Sequence, residues 1–193
     1  MKIGVCGTGR MGAAMAERLL EQGQTVEVWN RTSGRTQALA DQGASVATKP
    51  AELMANCDLV ICMLFDAAAQ AEVYQGEDGL LSRQSDTLIV DMSTMTPDAA
   101  RALGADVAAA GIAFVECPVG GTVAPAKNGK LLGMAGGEAA AFATAKPVLE
   151  LLCRRVEHVG DVGTAAAMKL AVNLPLATYW EALGEALSLA IAG

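Results

Sequence analysis

Three groups of residues have types and spacings suited to chemistry. Gly7, Gly9 and Gly12 stand in a G-x-G-x-x-G spacing between an apolar run, Lys2-Ile3-Gly4-Val5-Cys6, and the helix-forming stretch Ala13 to Leu20. Such a turn needs no Cβ at Gly7 to bend tightly and none at Gly9 to let the backbone approach a pyrophosphate. It needs none at Gly12 to let the helix pack on the strand. The N–H groups opening the helix would then face phosphate, with the helix dipole in support. Gly7, Thr8, Gly9, Arg10, Met11 and Gly12 are therefore expected to hold a dinucleotide, because the motif has a strand before it and a helix after it.

The second group ends the next strand. Gln24 to Trp29 alternates in polarity and runs into Asn30-Arg31-Thr32. An Asp or Glu that would bind a ribose 2′-hydroxyl is missing there, whereas Arg31 can pair with a 2′-phosphate. Asn30, Thr32 and Ser33 can hydrogen-bond the same group, so NADP is expected in preference to NAD. The third group is Lys169 and Asn173, four residues apart and so on one helix face. Met168, Val172, Leu176, Tyr179 and Leu183 form an apolar stripe beside them. A half-buried lysine titrates low and can serve as acid or base. Read from this helix alone, the pair also suits a solvent-facing Lys beside an ordinary Asn.

The elements that must position these groups follow from periodicity. Strands are predicted over 2–6, 24–29, 44–46, 58–64, 87–90, 113–119, 130–135 and 156–159. Asp58 to Leu64 is almost continuously apolar, as in a parallel strand covered on both faces. Helices are predicted after the glycine turn, over 33–42 with Ser33 as N-cap, from Pro50, and over 97–110. Thr96-Pro97 forms the N-cap and first position of the last of these. A further helix over 138–153 is expected to be interrupted near Pro147, residues 123–129 read as a polar connection, and from Thr164 the pattern is helical to the end. Alternation of this kind over 160 residues means a doubly wound, mostly parallel α/β sheet. Ligands in such sheets bind outside the carboxyl ends of the strands. That places Met63, Leu64, Ser93 and Thr94 near the glycine turn. The expected division is a dinucleotide-binding domain over 1–163 and the beginning of an interdomain helix over 164–193.

The totals narrow the function classes. A net charge of −7 disfavours nucleic acid and anionic membrane surfaces as partners. The apolar share is 52%, above the usual range of roughly 45–50%, which suggests surface buried in another subunit or domain. Cys6, Cys57, Cys62, Cys117 and Cys153 are scattered, and with one histidine, His158, no metal site is expected. Reduced, buried thiols suit a cytoplasmic protein. With a first strand from residue 2, no signal peptide is expected, and no apolar run is long enough to span a bilayer.

Four motifs in order, Gly7-x-Gly9-x-Met11-Gly12, Asp91-x-Ser93-Thr94-x-x-Pro97, Pro118-Val119-Gly120-Gly121 and Lys169-x-x-x-Asn173, make the chain resemble the β-hydroxyacid dehydrogenase family over its whole length. The resemblance implies an oxidoreductase that interconverts a short carboxylate-bearing aldehyde or ketone and its hydroxy acid. It makes Lys169 the catalytic acid/base, with Asn173 orienting the substrate. Gly120, Gly121 and Thr122 would bind the substrate carboxylate, with Ser93 as an added contact. Met63, Leu64 and Thr94 would touch the nicotinamide cofactor, and the Asn30-Arg31-Thr32 turn goes with NADP. The chain departs from the family in having Gly120 where a serine is usual. It also has Pro175, which removes an N–H bond to the carbonyl of Ala171 and is expected to kink the helix. The resemblance further implies an all-helical domain beyond Gly193 that closes the cleft and forms a homodimer or larger homo-oligomer. Two alternatives remain on the sequence: an imine reductase-like enzyme, and a catalytically incomplete NADP-binding module.

Overall fold

A computed structural model describes residues 1–192. The chain begins β1 (Lys2–Cys6), α1 (Arg10–Glu21), β2 (Thr25–Trp29), α2 (Gln37–Ala40), β3 (Ser45–Val46), α3 (Pro50–Asn56), β4 (Leu59–Cys62) and α4 (Ala67–Gln75). It continues with β5 (Leu88–Asp91), α5 (Pro97–Ala109), β6 (Phe114–Glu116), β7 (Val119–Gly120), α6 (Val123–Lys127) and β8 (Leu131–Gly137). It ends with α7 (Ala139–Leu152), β9 (Cys153–Gly160) and α8 (Thr164–Ala192).

The described strands form one nine-stranded sheet in the order β3-β2-β1-β4-β5-β6-β8-β7, with β9 paired to β8. From β3 to β6 every pairing is parallel. Only β8 runs against β6 and β7. The expected doubly wound, mostly parallel sheet is therefore present. Its central strands are buried along their length: β4 and β5 show no exposed residue. One core cluster lies on the α1 and α7 side and holds Ile3, Val5, Met15, Leu19, Ile61, Val90 and Leu149. The other, on the α3 and α4 side, holds Leu53, Met54, Val60, Tyr74, Ile89 and Val107. Burying aliphatic side chains on both faces, at ~25 cal/mol per Å² of apolar surface, is what selects this layered arrangement. All five cysteines are buried and free.

Several expectations are corrected. Residues 33–42 are not one helix: a 3-10 turn over Ser33–Arg35 is followed by the four-residue α2. Ser33 makes no side-chain cap. Instead Thr36 Oγ1 donates to the carbonyl of Ser33 at 2.7 Å, a local bond that competes with helix continuation, and Gly34 adds a poor helix former. Residues 123–129 are not merely a connection but contain α6. Residues 67–75, for which no element is predicted, form α4, capped by Asp66, whose Oδ1 accepts from the N–H of Ala69 at 2.8 Å. The helix expected to break at Pro147 runs unbroken as α7. Its buried face of Ala145, Val148, Leu149 and Leu152 offsets the one lost bond. The last strand is longer than 156–159, because β9 pairs with β8 from Cys153 to Gly160, with irregularities at Arg154 and Val159. Pro175 lies inside α8, which is helical on both sides of it; the kink expected there concerns the helix axis and is not overturned by this continuity.

Candidate active site

The glycine turn is built as its spacing requires. Gly7 has φ +97°, and a Cβ there would lie 2.5 Å from the Met63 carbonyl oxygen. A Cβ on Gly12 would lie 1.9 Å from the Gly7 carbonyl oxygen, so α1 rests directly on the turn. Around Gly9 the space is open: an added Cβ meets nothing within 4 Å. Gly9 is also the N-cap of α1, no side chain caps that end, and its first turn holds no acidic residue. An open approach over an uncapped helix start suits a phosphate.

Asn30 supports the turn from the end of β2. Its Oδ1 accepts from the N–H of Thr8 at 3.0 Å and its Nδ2 donates to the Thr32 carbonyl at 3.1 Å. Thr8 is buried, and its hydroxyl donates to the carbonyl of Arg35 at 3.3 Å. The turn after β1 and the turn after β2 are thus bonded into one surface. Over it lies a cleft of about 180 Å³ lined by Gly7, Gly9, Asn30, Arg31, Thr32 and Arg35 on one side. Met63, Leu64, Phe65 and Glu72 line the other side. Arg10, Met11 and Gly12 line its extension toward the start of α1. Arg35 and Phe65 were not among the expected site residues. Phe65 is 96% exposed at the lip, and a lone aromatic after an apolar strand carries no sequence signal of that placement.

The next two loops follow β4 and β5. Leu64 N–H donates to Ser93 Oγ at 2.9 Å, so the loops are tied to each other. Ser93 is buried, and its own N–H donates to Asp91 Oδ1 at 2.8 Å. Tyr74 Oη donates to Asp91 Oδ2 at 2.7 Å. Burial pushes the Asp91 carboxyl above its ordinary value against the pull of these bonds. Thr94 is exposed and lines an adjoining hollow with Leu64, Phe65 and Thr96. Thr96 caps α5 through Ala99 N–H, as its position before Pro97 predicts.

Strand β6 leads to the segment expected to bind a carboxylate. Gly120 pairs with Leu132 across β7 and β8, and Gly121 and Thr122 are exposed beyond it. Gly121 has φ +130°, a conformation that favours glycine. Glu116, at the carboxyl end of β6, is buried, and its Oε1 accepts from the N–H groups of Gly163 at 2.6 Å and Ala165 at 2.9 Å. That carboxylate holds the amino end of α8. A Cβ on Gly136 would come within 2.5 Å of the same oxygen, so the site needs a glycine there. Burial raises the Glu116 carboxyl above its ordinary value, and Oε2 has no partner. Sequence reasoning missed Glu116, because its partners lie 47 and 49 residues away.

Lys169 is half-buried, and its Nζ donates to Asn173 Oδ1 at 3.1 Å. Desolvation holds its ammonium below the ordinary lysine value. The pair shares a helix face as its spacing requires. It does not line the cleft over the glycine turn, whose walls come from other residues. The structure therefore gathers the turn residues Gly7 to Gly12, Asn30 to Thr32 and Met63-Leu64 around one cleft. It sets Lys169 and Asn173 on a helix anchored two strands away from β4.

Residues 2–160 match the family description "NAD binding domain of 6-phosphogluconate dehydrogenase". Glyoxylate/succinic semialdehyde reductase 1 of Arabidopsis thaliana is 37% identical over 191 residues, which cover 98% of this chain and 66% of that protein. The chain belongs to the β-hydroxyacid dehydrogenase family. Among solved structures, a 3-hydroxyisobutyrate dehydrogenase of Mycobacterium tuberculosis with L-serine superposes at a TM-score of 0.89 with 31% identity. That match covers 98% of this chain and 64% of that one. An imine reductase from Myxococcus stipitatus in complex with NADP+ gives a TM-score of 0.86 at 26% identity, covering 97% and 64% of the two chains. The chain spans 53% to 66% of the length of the first curated relatives. What it contains is the family's nicotinamide-dinucleotide-binding domain and a long helix. Among the described residues no cluster fit to hold a metal is present, and no helix is long and apolar enough to cross a membrane.

Proposed function

We propose that this chain carries the cofactor half of an NADP(H)-dependent oxidoreductase, acting on a short carboxylate-bearing aldehyde or ketone and its hydroxy acid. The observation that supports this most is the succession of β1, β4, β5 and β6 as neighbours in one parallel run. Their carboxyl ends deliver, side by side, the glycine turn, Met63-Leu64, Ser93-Thr94 and the Glu116-anchored start of α8. The pyrophosphate would rest on Gly7 to Gly12, and Arg31 with Asn30 and Thr32 would meet the 2′-phosphate. Thr94, Met63 and Leu64 would border the nicotinamide, which when bound supplies the hydride.

The chain's own residues do the rest. The backbone of Gly120 and Gly121, with the Thr122 hydroxyl, holds the substrate carboxylate, since glycine-rich turns present N–H groups to anions. Ser93 keeps the two adjacent loops in place. Lys169 gives its proton to the oxygen that gains charge and stabilises that charge while doing so. Its lowered pKa eases that release. Asn173, bonded to Lys169 in this structure, releases its Oδ1 to orient the substrate hydroxyl. Residues 1–163 form the dinucleotide-binding domain, and α8 from Thr164 begins the connection to a second, helical one. The homo-oligomer is assigned to that second part, which the longer relatives have room for. With Lys169→Ala, turnover of glyoxylate or succinic semialdehyde falls at least about a hundredfold while NADPH binding persists. Unchanged turnover removes Lys169 from this role.

One observation favours a second reading for the 193 residues alone. Apolar side chains along α8 beyond Lys169 stand exposed, so the chain by itself can be a module that binds NADPH and turns nothing over. NADPH fluorescence enhancement without reduction of either aldehyde supports that reading. Turnover of a cyclic imine in preference to both would favour the imine reductase alternative.

A further inference from the structure

The cofactor cleft has a feature that its glycine turn and arginine do not explain. Its lining holds two guanidinium groups, Arg31 and Arg35, and one acidic residue, Glu72. Glu72 comes from α4, on the wall opposite the β2 turn, and 41 residues separate it from Arg31. Arg31 Nη1 nevertheless lies 3.3 Å from Glu72 Oε2, so an ion pair spans the mouth of the cleft. Both side chains are exposed, 70% and 61%, and the pair is weak enough to open. The end of β2 has no acid of its own. Dinucleotide folds that choose a 2′-hydroxyl over a 2′-phosphate place an acid at the end of this strand; here the acid at the cleft comes from a helix on the other side.

We propose that Glu72 is a specificity-determining residue that restrains the preference for NADP(H) by holding Arg31. This rests on the reading of Arg31 as the 2′-phosphate partner. A 2′-phosphate must displace the Glu72 carboxylate to pair with Arg31 and must then lie close to a like charge. The 2′-hydroxyl of NAD(H) pays neither cost, and an ionised carboxylate can accept a bond from it. Glu72 therefore narrows the gap between the two cofactors without touching the pyrophosphate site.

Fluorescence titration of the full chain with NADPH and NADH reads this directly, and needs no turnover. In Glu72→Gln, NADPH is expected to bind about two- to fivefold more tightly, the range of an exposed ion pair, and NADH equally or more weakly. Glu72→Ala should act in the same direction, and thermal melts of both variants report whether the fold is kept. In the Arg31→Ala background the Glu72→Gln effect should shrink, since the share that comes from holding Arg31 is lost. If Arg31→Ala weakens NADPH selectively but Glu72→Gln leaves the NADPH-to-NADH ratio unchanged, the role of Glu72 is overturned and that of Arg31 stands. A Glu72→Gln effect of undiminished size without Arg31 also overturns it, because the carboxylate then acts by its charge alone and not by holding Arg31. If Arg31→Ala leaves NADPH binding untouched, the reading of Arg31 fails and this inference falls with it.

Discussion

The corner formed by β1, α1 and β2 and the length of α8 lie at opposite ends of the chain, and they are built on opposite terms. At the corner the groups that tie the turn to its neighbours have protein partners, while the start of α1 is left uncapped: Thr8 N–H bonds to Asn30, the Thr8 hydroxyl to Arg35, and Gly7 N–H to the Trp29 carbonyl. Glycine contacts too close for any Cβ lock it. Helix α8 is fixed only at its start, where Ala165 and Ala166 are buried and Glu116 holds the backbone. Beyond Lys169 it exposes Leu170, Val172, Leu174, Leu176, Tyr179, Trp180, Leu187, Leu189 and Ile191. The first region is complete on its own. The second carries Lys169 and Asn173 on a helix whose apolar side chains stand open. Large exposed apolar surface of that kind marks a place meant to be covered.

The harshest way to break the contrast is Gly12→Ala. Its Cβ would lie 1.9 Å from the Gly7 carbonyl oxygen, so α1 must shift off the turn. NADPH binding is expected to fall below detection in a fluorescence titration, with a lower melting temperature as well. Retained affinity would mean that the corner is less rigid than its contacts require.

A milder test addresses the joint between the regions. The Glu116 carboxyl is raised in the folded chain, so the protonated form is favoured there. The stability this gives is fully present below the ordinary glutamate value of 4.5 and is lost as pH rises through the raised one. Glu116→Gln keeps an oxygen for the N–H groups of Gly163 and Ala165 but cannot ionise. Wild type and variant should melt alike near pH 4, and the variant should gain on wild type as pH rises to 7. Parallel melting curves across that range would show that Glu116 ionises in the fold without penalty.

The smallest effect belongs to the far end of α8. Trp180 is 62% exposed, with Tyr179 as its aromatic neighbour. Trp180→Ala should change the stability of the 193-residue chain by less than about 0.5 kcal/mol in urea unfolding. A larger loss would show that α8 is packed along its length in solution.

The same contrast explains what was legible in the sequence. The corner could be read because its determinants are local: three glycines within six residues, a strand before and a helix after. Lys169 and Asn173 could be paired because helical spacing alone brings them together, but no spacing tells which way α8 leaves the domain. The Asp91–Tyr74 bond, the Glu116 anchor and the Arg31–Glu72 pair were invisible, because each joins elements that meet only once the sheet has formed. Helix α4 was missed for a different reason. Its Ala, Gln and Glu residues form no clear apolar face, and only Val73 and Tyr74 are buried. Pro147 misled because a packed helix face tolerates one missing bond.

The bond from Leu64 N–H to Ser93 Oγ has a consequence for anyone seeking to retune this protein. Through Asp91 and Tyr74 it links the rim after β4 to α4, which carries Glu72. These bonds run along one wall of the cleft and tie its β4 rim to the helix that carries Glu72. Replacing Ser93 removes the acceptor of the Leu64 N–H and so loosens that wall. If Glu72 tempers Arg31 as proposed, a change at Ser93 should therefore alter the balance of NADPH and NADH binding as well.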